Sequence, residues 1–243
     1  MTDDGAKFDH HAPSMCPVVN TLVEQDWVKP QRDHRVAIEQ IREGLSHLAI
    51  TTPLKSLLVI GPLFANHRGD LLRNLVTQTF SLPHLRGGFF AHPASTDTLE
   101  KSRFDAEKFA VFEKAAIAAR TPGVIGVDAL AFVIVFNQLT LISQGKPTSA
   151  SGFLLSLIEF ASLLDTFGVA DDEGRLHIRI EDLRGLYASG SLPGGPSWRP
   201  VRTKGLRTLG ATMGKIGSRA LGVVQNYEDA LDSLEIKDVD LGG

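Results

Sequence analysis

Two long apolar segments constrain this chain more than anything else in it. Val124 to Ile142 is the longest, broken only by polar residues such as Asp128, Asn137 and Gln138. Phe153 to Leu164 is apolar almost all round a helix, with Ser156, Glu159 and Ser162 as its polar members. Both are too long for strands and carry no strand alternation, so both read as helices with little face left for water. The interruptions in the first favour a buried helix over a membrane span. A chain that must bury two such helices reads as a mainly helical single domain with at most a short β element. Its 243 residues suffice for a full core.

The rest of the chain follows. Residues 1–14 are polar and read as a mobile arm, with His10 and His11 solvated. Pro17 suits the first position of a helix carrying Val18, Val19, Leu22 and Val23 and extended by Trp27 and Val28 up to Pro30. Asp33 would cap a second helix through Val36, Ile38, Ile41 and Leu45. Leu54 to Phe64 forms a third, interrupted at Gly61-Pro62. Asn66 to Ser102 is rich in turn residues, and a loop of that length in a compact domain is either functional or disordered. Helical spacing returns over Asp105–Ala119, Val127–Ile142 and Ser149–Phe167, the last closed by Gly168. Leu176, Ile178 and Ile180 alternate like a short strand, and Ile180 to Ala188 is again helical. Residues 203–243 read as a C-terminal extension, and the basic block around its start, Arg199, Arg202, Lys204, Arg207, Lys215 and Arg219, precedes an acidic stretch it could pair with.

Charge excludes one class of partner. A net charge of −3 and a pI near 6.2 give no general case for nucleic-acid binding. The single cysteine, Cys16, permits no intrachain disulfide. With no apolar leader at the N-terminus, the expectation is a cytoplasmic protein, although a cleaved, secreted form would look the same.

Three residues stand out chemically. Cys16 sits at a helix start, where backbone N–H groups and the helix dipole favour a thiolate, the form required of a nucleophile or metal ligand. A small buried thiol is the alternative. Glu159, within an apolar helix, would be desolvated in the manner of a general acid or base, or would reach solvent along a narrow polar strip. His92 follows Phe89-Phe90 in the long loop and could line a pocket or be structural.

Taken together, these residues resemble a known family. Met15-Cys16-Pro17-Val18-Val19-Asn20-Thr21-Leu22 is similar to the Pro-Cys-Pro-Val-Leu-Asn-Thr-Leu segment of the heme-thiolate peroxidases, which include chloroperoxidase and the unspecific peroxygenases of fungi. Thr79-Phe80-Ser81-Leu82 is similar to a Thr-Phe-Asp-Leu segment of the family's short branch, and Ala91-His92-Pro93-Ala94-Ser95 follows where that branch has its Glu-His-Asp-x-Ser motif. Glu159, nine residues before Gly168, resembles the family's acid–base glutamate, and Trp198-Arg199-Pro200 its later Trp-x-Pro segment. The likeness spans about residues 14–202. It implies a chloroperoxidase-like all-α fold over residues 15–202 that binds heme b, with Cys16 as axial thiolate to the iron. Pro17, Val18, Asn20, Phe89, Phe90 and Ser95 would lie around the cofactor. Glu159 would be the acid–base residue and His92 its hydrogen-bonding partner, acting on hydrogen peroxide and a small organic substrate.

The departures carry expectations of their own. Ala91 replaces the glutamate that holds Mg²⁺ in the family, and Pro93 replaces the aspartate. Because a hard cation wants carboxylate oxygens, Mg²⁺ should be absent or weakly held. A repurposed heme protein with little peroxide chemistry is therefore one alternative. A cysteine hydrolase using Cys16 and His92 is another, and a helical binding module a third.

Overall fold

The computed structural model describes residues 16–31, 33–65, 76–82, 106–143, 145 and 150–225. Phe89, Phe90, His92 and Ser95 lie outside the described residues, as do the expected arm 1–14 and the acidic end of the chain. The described chain forms helices α1 (Pro17–Glu24), α2 (Ile38–His47), α3 (Thr52–Ala65), α4 (Ala106–Ala118), α5 (Val127–Ser143), α6 (Ala150–Phe167), α7 (Ile180–Ser189) and α8 (Leu206–Gln225). Five short strands join them: β1 (Arg35–Ala37), β2 (Thr79–Ser81), β3 (Val124–Gly126), β4 (Val169–Ala170) and β5 (Leu176–Arg179). The protein is mostly helical with small sheets at its margins. No described helix is long and apolar enough to cross a membrane.

The two apolar segments are the centre of the molecule. α5 buries Ala129, Leu130, Ala131, Val133, Ile134 and Val135; α6 buries Leu157, Phe160, Ala161, Leu163 and Leu164. Each large apolar side chain taken from water contributes about 1.5–3 kcal/mol, so these faces decide where the other helices sit. α8 packs against both α5 and α6 and adds Leu209 and Ile216 to the same core. α4 reaches α6 through Phe112 and Phe160, whose rings meet edge-on with centroids 5.7 Å apart. α7 lies against α1 and closes the other side.

Three local expectations are corrected. α1 stops at Glu24 instead of running on to Val28. Asp26 turns left-handed at φ 57°, and the amides of Trp27 and Val28 both return to Leu22 O at 3.0 Å. The residues after Asp33 do not open a helix. Arg35–Ala37 pairs antiparallel with Thr79–Ser81, and the helix begins only at Ile38. Arg35 is buried in that pairing, donating Nε to Thr79 Oγ1 at 2.9 Å, and a buried guanidinium needs such partners. Gly61-Pro62 does not interrupt the third helix, which continues to Ala65.

The strand expected near Leu176 is present and is the middle strand of an antiparallel sheet, order β3-β5-β4. Glu181 and Asp182 occupy the first turn of α7, where carboxylates complement the helix dipole. Gly190 ends that helix at φ 70°. Its Cα lies so close to α1 that an added Cβ would stand 2.6 Å from Asn20 C and O. Only glycine allows both the left-handed turn and that approach, and the backbone of α1 approached in this way lies just beyond Cys16.

Candidate functional site

The site is built where α1, α6 and α7 meet. Cys16 is the residue before α1, with extended backbone (φ −90°, ψ 114°), and its carbonyl accepts the first helical bond from Asn20 N at 3.0 Å. Pro17 takes the first helical position, as the sequence predicts. The backbone amides of Val18 and Val19 donate to the Cys16 sulfur, and their effect is to favour the thiolate. They do not prevail. Burial, helped by the negative charge of Glu159, pushes the thiol up to about 11. The expectation that a helix start lowers this thiol is thus overturned: the amides are there, but desolvation of the sulfur outweighs them.

Glu159 comes from the middle of α6 and is only partly exposed. Its Oε1 accepts a hydrogen bond from the Tyr187 hydroxyl at 2.9 Å. Tyr187 lies on α7 and is buried, with its ring 6.3 Å from Phe109 and 6.0 Å from Phe112. Burial pushes its phenol well above the usual tyrosine range. The Glu159 charge, the hydrogen bond to Glu159 and the Cys16 charge push in the same direction. The charge of Glu159 reaches both other groups, so thiol, carboxylate and phenol form one electrostatic unit.

The structure therefore brings together two of the residues singled out by sequence, Cys16 and Glu159, and adds Tyr187. Asn20 is buried on α1, Val18 is partly buried against the core and Pro17 is buried. Phe153, at the start of the second apolar run, packs partly buried against the main core. Tyr187 escaped the sequence reading because its hydroxyl meets a carboxylate 28 positions away. The available signal was a polar-tipped aromatic beside Leu183 and Leu186 on the buried face of a helix.

A second polar cluster lies further along α6. Asp165 is buried, and its Oδ1 accepts from Thr212 Oγ1 at 2.8 Å and from Arg202 at 3.1 Å. Its Oδ2 is buried without a hydrogen-bond partner among the described residues. Burial raises the Asp165 carboxyl despite Thr212, Arg202, Lys204 and Lys215, each of which opposes the shift. Lys204 is buried too, donating Nζ to Leu48 O at 3.3 Å and standing 5.9 Å from the Trp198 ring centroid. Its backbone joins α8 to the turn between α2 and α3, through Thr51 N to Lys204 O at 2.8 Å and Lys204 N to Ala49 O at 2.9 Å.

The first cluster is the one whose donors suit a cofactor. Among the described residues no three His, Cys, Asp or Glu side chains gather as a metal cage. An iron porphyrin asks for less, a single axial thiolate from the protein. Cys16 offers a sulfur already held by two amides, and a bound cation would supply the positive charge that this partly buried thiol lacks. The donor set fits a heme-thiolate centre. No protein-family model matches the chain, and no curated protein matches it.

Proposed function

We propose that this protein is a heme-thiolate peroxidase or peroxygenase with a chloroperoxidase-like fold, using hydrogen peroxide to oxidise or oxygenate a small organic substrate. The observation that carries the reading is the joining of a thiol, set on the first amides of α1, to a carboxylate of α6 whose charge reaches it. Cys16 would hold the heme iron. When bound, the heme would supply the redox chemistry that lets peroxide oxidise the substrate, and the electron-rich sulfur of Cys16 would favour O–O cleavage. The chain supplies placement and proton transfer. The amides of Val18 and Val19 steady negative charge on Sγ. Glu159 takes a proton from one peroxide oxygen and returns it to the departing one, the work of a positioned general acid–base group. Its Oε1 accepts from the Tyr187 hydroxyl, which holds the carboxylate in place. His92 is the further partner that the family resemblance assigns to Glu159.

The elevated thiol speaks against a cysteine hydrolase. A nucleophilic cysteine needs an appreciable thiolate fraction near neutral pH, and a thiol near 11 has little. Metal ligation has no such difficulty, because the metal itself displaces the proton.

The test is spectroscopic. Heme-supplemented protein should bind iron without stoichiometric magnesium. Its reduced CO complex should show the strongly red-shifted Soret band of thiolate ligation, and Cys16→Ala should lose that band. A Soret band typical of histidine ligation in intact protein, or a Cys16→Ala variant that keeps the thiolate signature, would remove Cys16 as the ligand. A protein that takes up no heme would overturn the reading.

A further inference from the structure

Rotating a carboxylate costs little unless something holds it, and an acid–base group off its aim by an ångström is a poor one. What holds Glu159 is therefore a functional question. The Tyr187 hydroxyl donates to Glu159 Oε1 at 2.9 Å. The Tyr187 ring is fixed in turn, buried with Phe109 and Phe112 on two sides. α7 is itself pinned to α1 by the close approach at Gly190. A rigid phenol thus joins the acid–base carboxylate to the helix that presents the thiol.

We infer that Tyr187 is a positioning residue for Glu159, its hydroxyl holding Oε1 and so fixing the direction in which the carboxylate faces. This rests on the heme-thiolate reading for its role in peroxide chemistry, but the Tyr187–Glu159 pair itself stands on geometry. Among the described residues, the titratable groups that act on the phenol include Glu159 from α6 and Cys16 at the start of α1. α4 presents the neutral rings of Phe109 and Phe112. Arg184, on Tyr187's own helix, lies over the Phe109 ring and pairs with Glu113. Both carboxylate and thiolate charge oppose ionisation of the phenol, so Tyr187 remains a donor throughout the neutral range.

Two measurements decide it, one without cofactor. The chain has two tyrosines, so Tyr227→Phe leaves Tyr187 as the one phenol that titrates by ultraviolet absorption. Its ionisation should begin well above the usual tyrosine range in that background. Adding Glu159→Gln should move it down by about one pH unit or more, because a charge and its hydrogen bond are lost together. A titration unmoved by Glu159→Gln would overturn the pair.

In heme-loaded protein, Tyr187→Phe keeps the ring and removes only the hydroxyl. It should leave the reduced CO spectrum unchanged and slow the reaction with peroxide by about 10–100-fold, the usual cost of losing an outer-shell partner. The acid limb of the pH–rate profile should also move to higher pH, because a carboxylate without its donor holds its proton more tightly. An unchanged rate and profile would overturn the positioning role. Failure to take up heme would instead overturn the proposed function, while the cofactor-free titration would still decide whether the pair exists.

Discussion

α6 carries two carboxylates into the interior, Glu159 and Asp165, and the protein treats them in opposite ways. Asp165 meets cations: Arg202 bonds it, while Lys204 and Lys215 add their charge. Glu159 meets groups that lose protons, the Tyr187 phenol and the Cys16 thiol, and raises both. One helix, largely apolar on both flanks, thus delivers the same functional group to two environments. The cations around Asp165 bind the segment before α8 to α6, which is a structural task. The acids around Glu159 leave a carboxylate poised among proton donors, which suits proton transfer. On the proposed function, the sign of what surrounds each carboxylate, rather than burial alone, separates the two roles.

Removing each carboxylate in turn tests that division most severely. In heme-loaded protein Glu159→Gln should slow the reaction with peroxide by roughly 10²–10⁴-fold while leaving the CO spectrum and the urea midpoint nearly unchanged. Asp165→Ala should do the reverse. It strips Thr212 and Arg202 of their acceptor and should cost about 1–3 kcal/mol of stability, with little effect on the rate per bound heme. Stopped-flow mixing and urea denaturation of both variants give a two-by-two outcome. If Asp165→Ala slows peroxide chemistry as much as Glu159→Gln does, the separation of roles is wrong.

A smaller effect sharpens the same contrast from the backbone. Gly190 and Gly123 both adopt left-handed backbone, at φ 70° and φ 85°. A Cβ on Gly123 would meet nothing within 4 Å, whereas one on Gly190 would strike the α1 backbone at Asn20. Gly123→Ala should therefore cost about 1–2 kcal/mol, the conformational penalty alone. Gly190→Ala adds overpacking and should cost about 2–5 kcal/mol. Because the strike falls on the helix that presents Cys16, Gly190→Ala should also disturb the CO spectrum, which Gly123→Ala should not. Thermal unfolding followed beside that spectrum separates the two. Equal costs would mean that α7 is not seated on α1 as described.

Much of the framework behind these contrasts is visible in the sequence. Long apolar runs state their own burial, which is why α5 and α6 can be read from residue types. The approach of Pro17 to a helix start is equally plain. β1 and β3 are hidden because three residues hold no period to detect, and their pairing partners lie far along the chain. α8 is hidden for another reason. Gly210, Gly214, Gly217 and Gly222 dilute its helix propensity, while packing on α5 and α6 selects the helix through Leu209, Ile216 and Ala220. The candidate site divides in the same way. Cys16 and Glu159 announce themselves by local context. The direction in which the Cys16 thiol shifts does not, because it depends on how deeply the sulfur is buried and on a charge from another helix. Tyr187 depends on tertiary contact altogether.

The smallest predicted effect is a difference in how the two clusters answer alkali in cofactor-free protein. Lys204 falls from 10.5 to about 8 in the folded state, chiefly through burial, with Arg202 adding to the shift. Between those values the unfolded chain binds more protons at this group than the folded one, so stability rises with pH. Cys16 behaves inversely. Its folded value of about 11 lies above the ordinary 9.0, so between them the folded state binds more protons and stability falls as pH rises. Tyr187 adds to that fall above its ordinary 10.0. The urea midpoint should therefore rise from pH 8 to pH 9, where Lys204 acts nearly alone, and flatten or turn down above it. Lys204→Met should abolish the rising limb and leave the later fall. Cys16→Ala should leave the rise and extend it to higher pH. A wild-type midpoint that falls steadily from pH 8, or a Lys204→Met variant that keeps the rise, would show that Lys204 is not depressed and that its burial beside Trp198 and Leu48 is not what sets the charge on this side of α6.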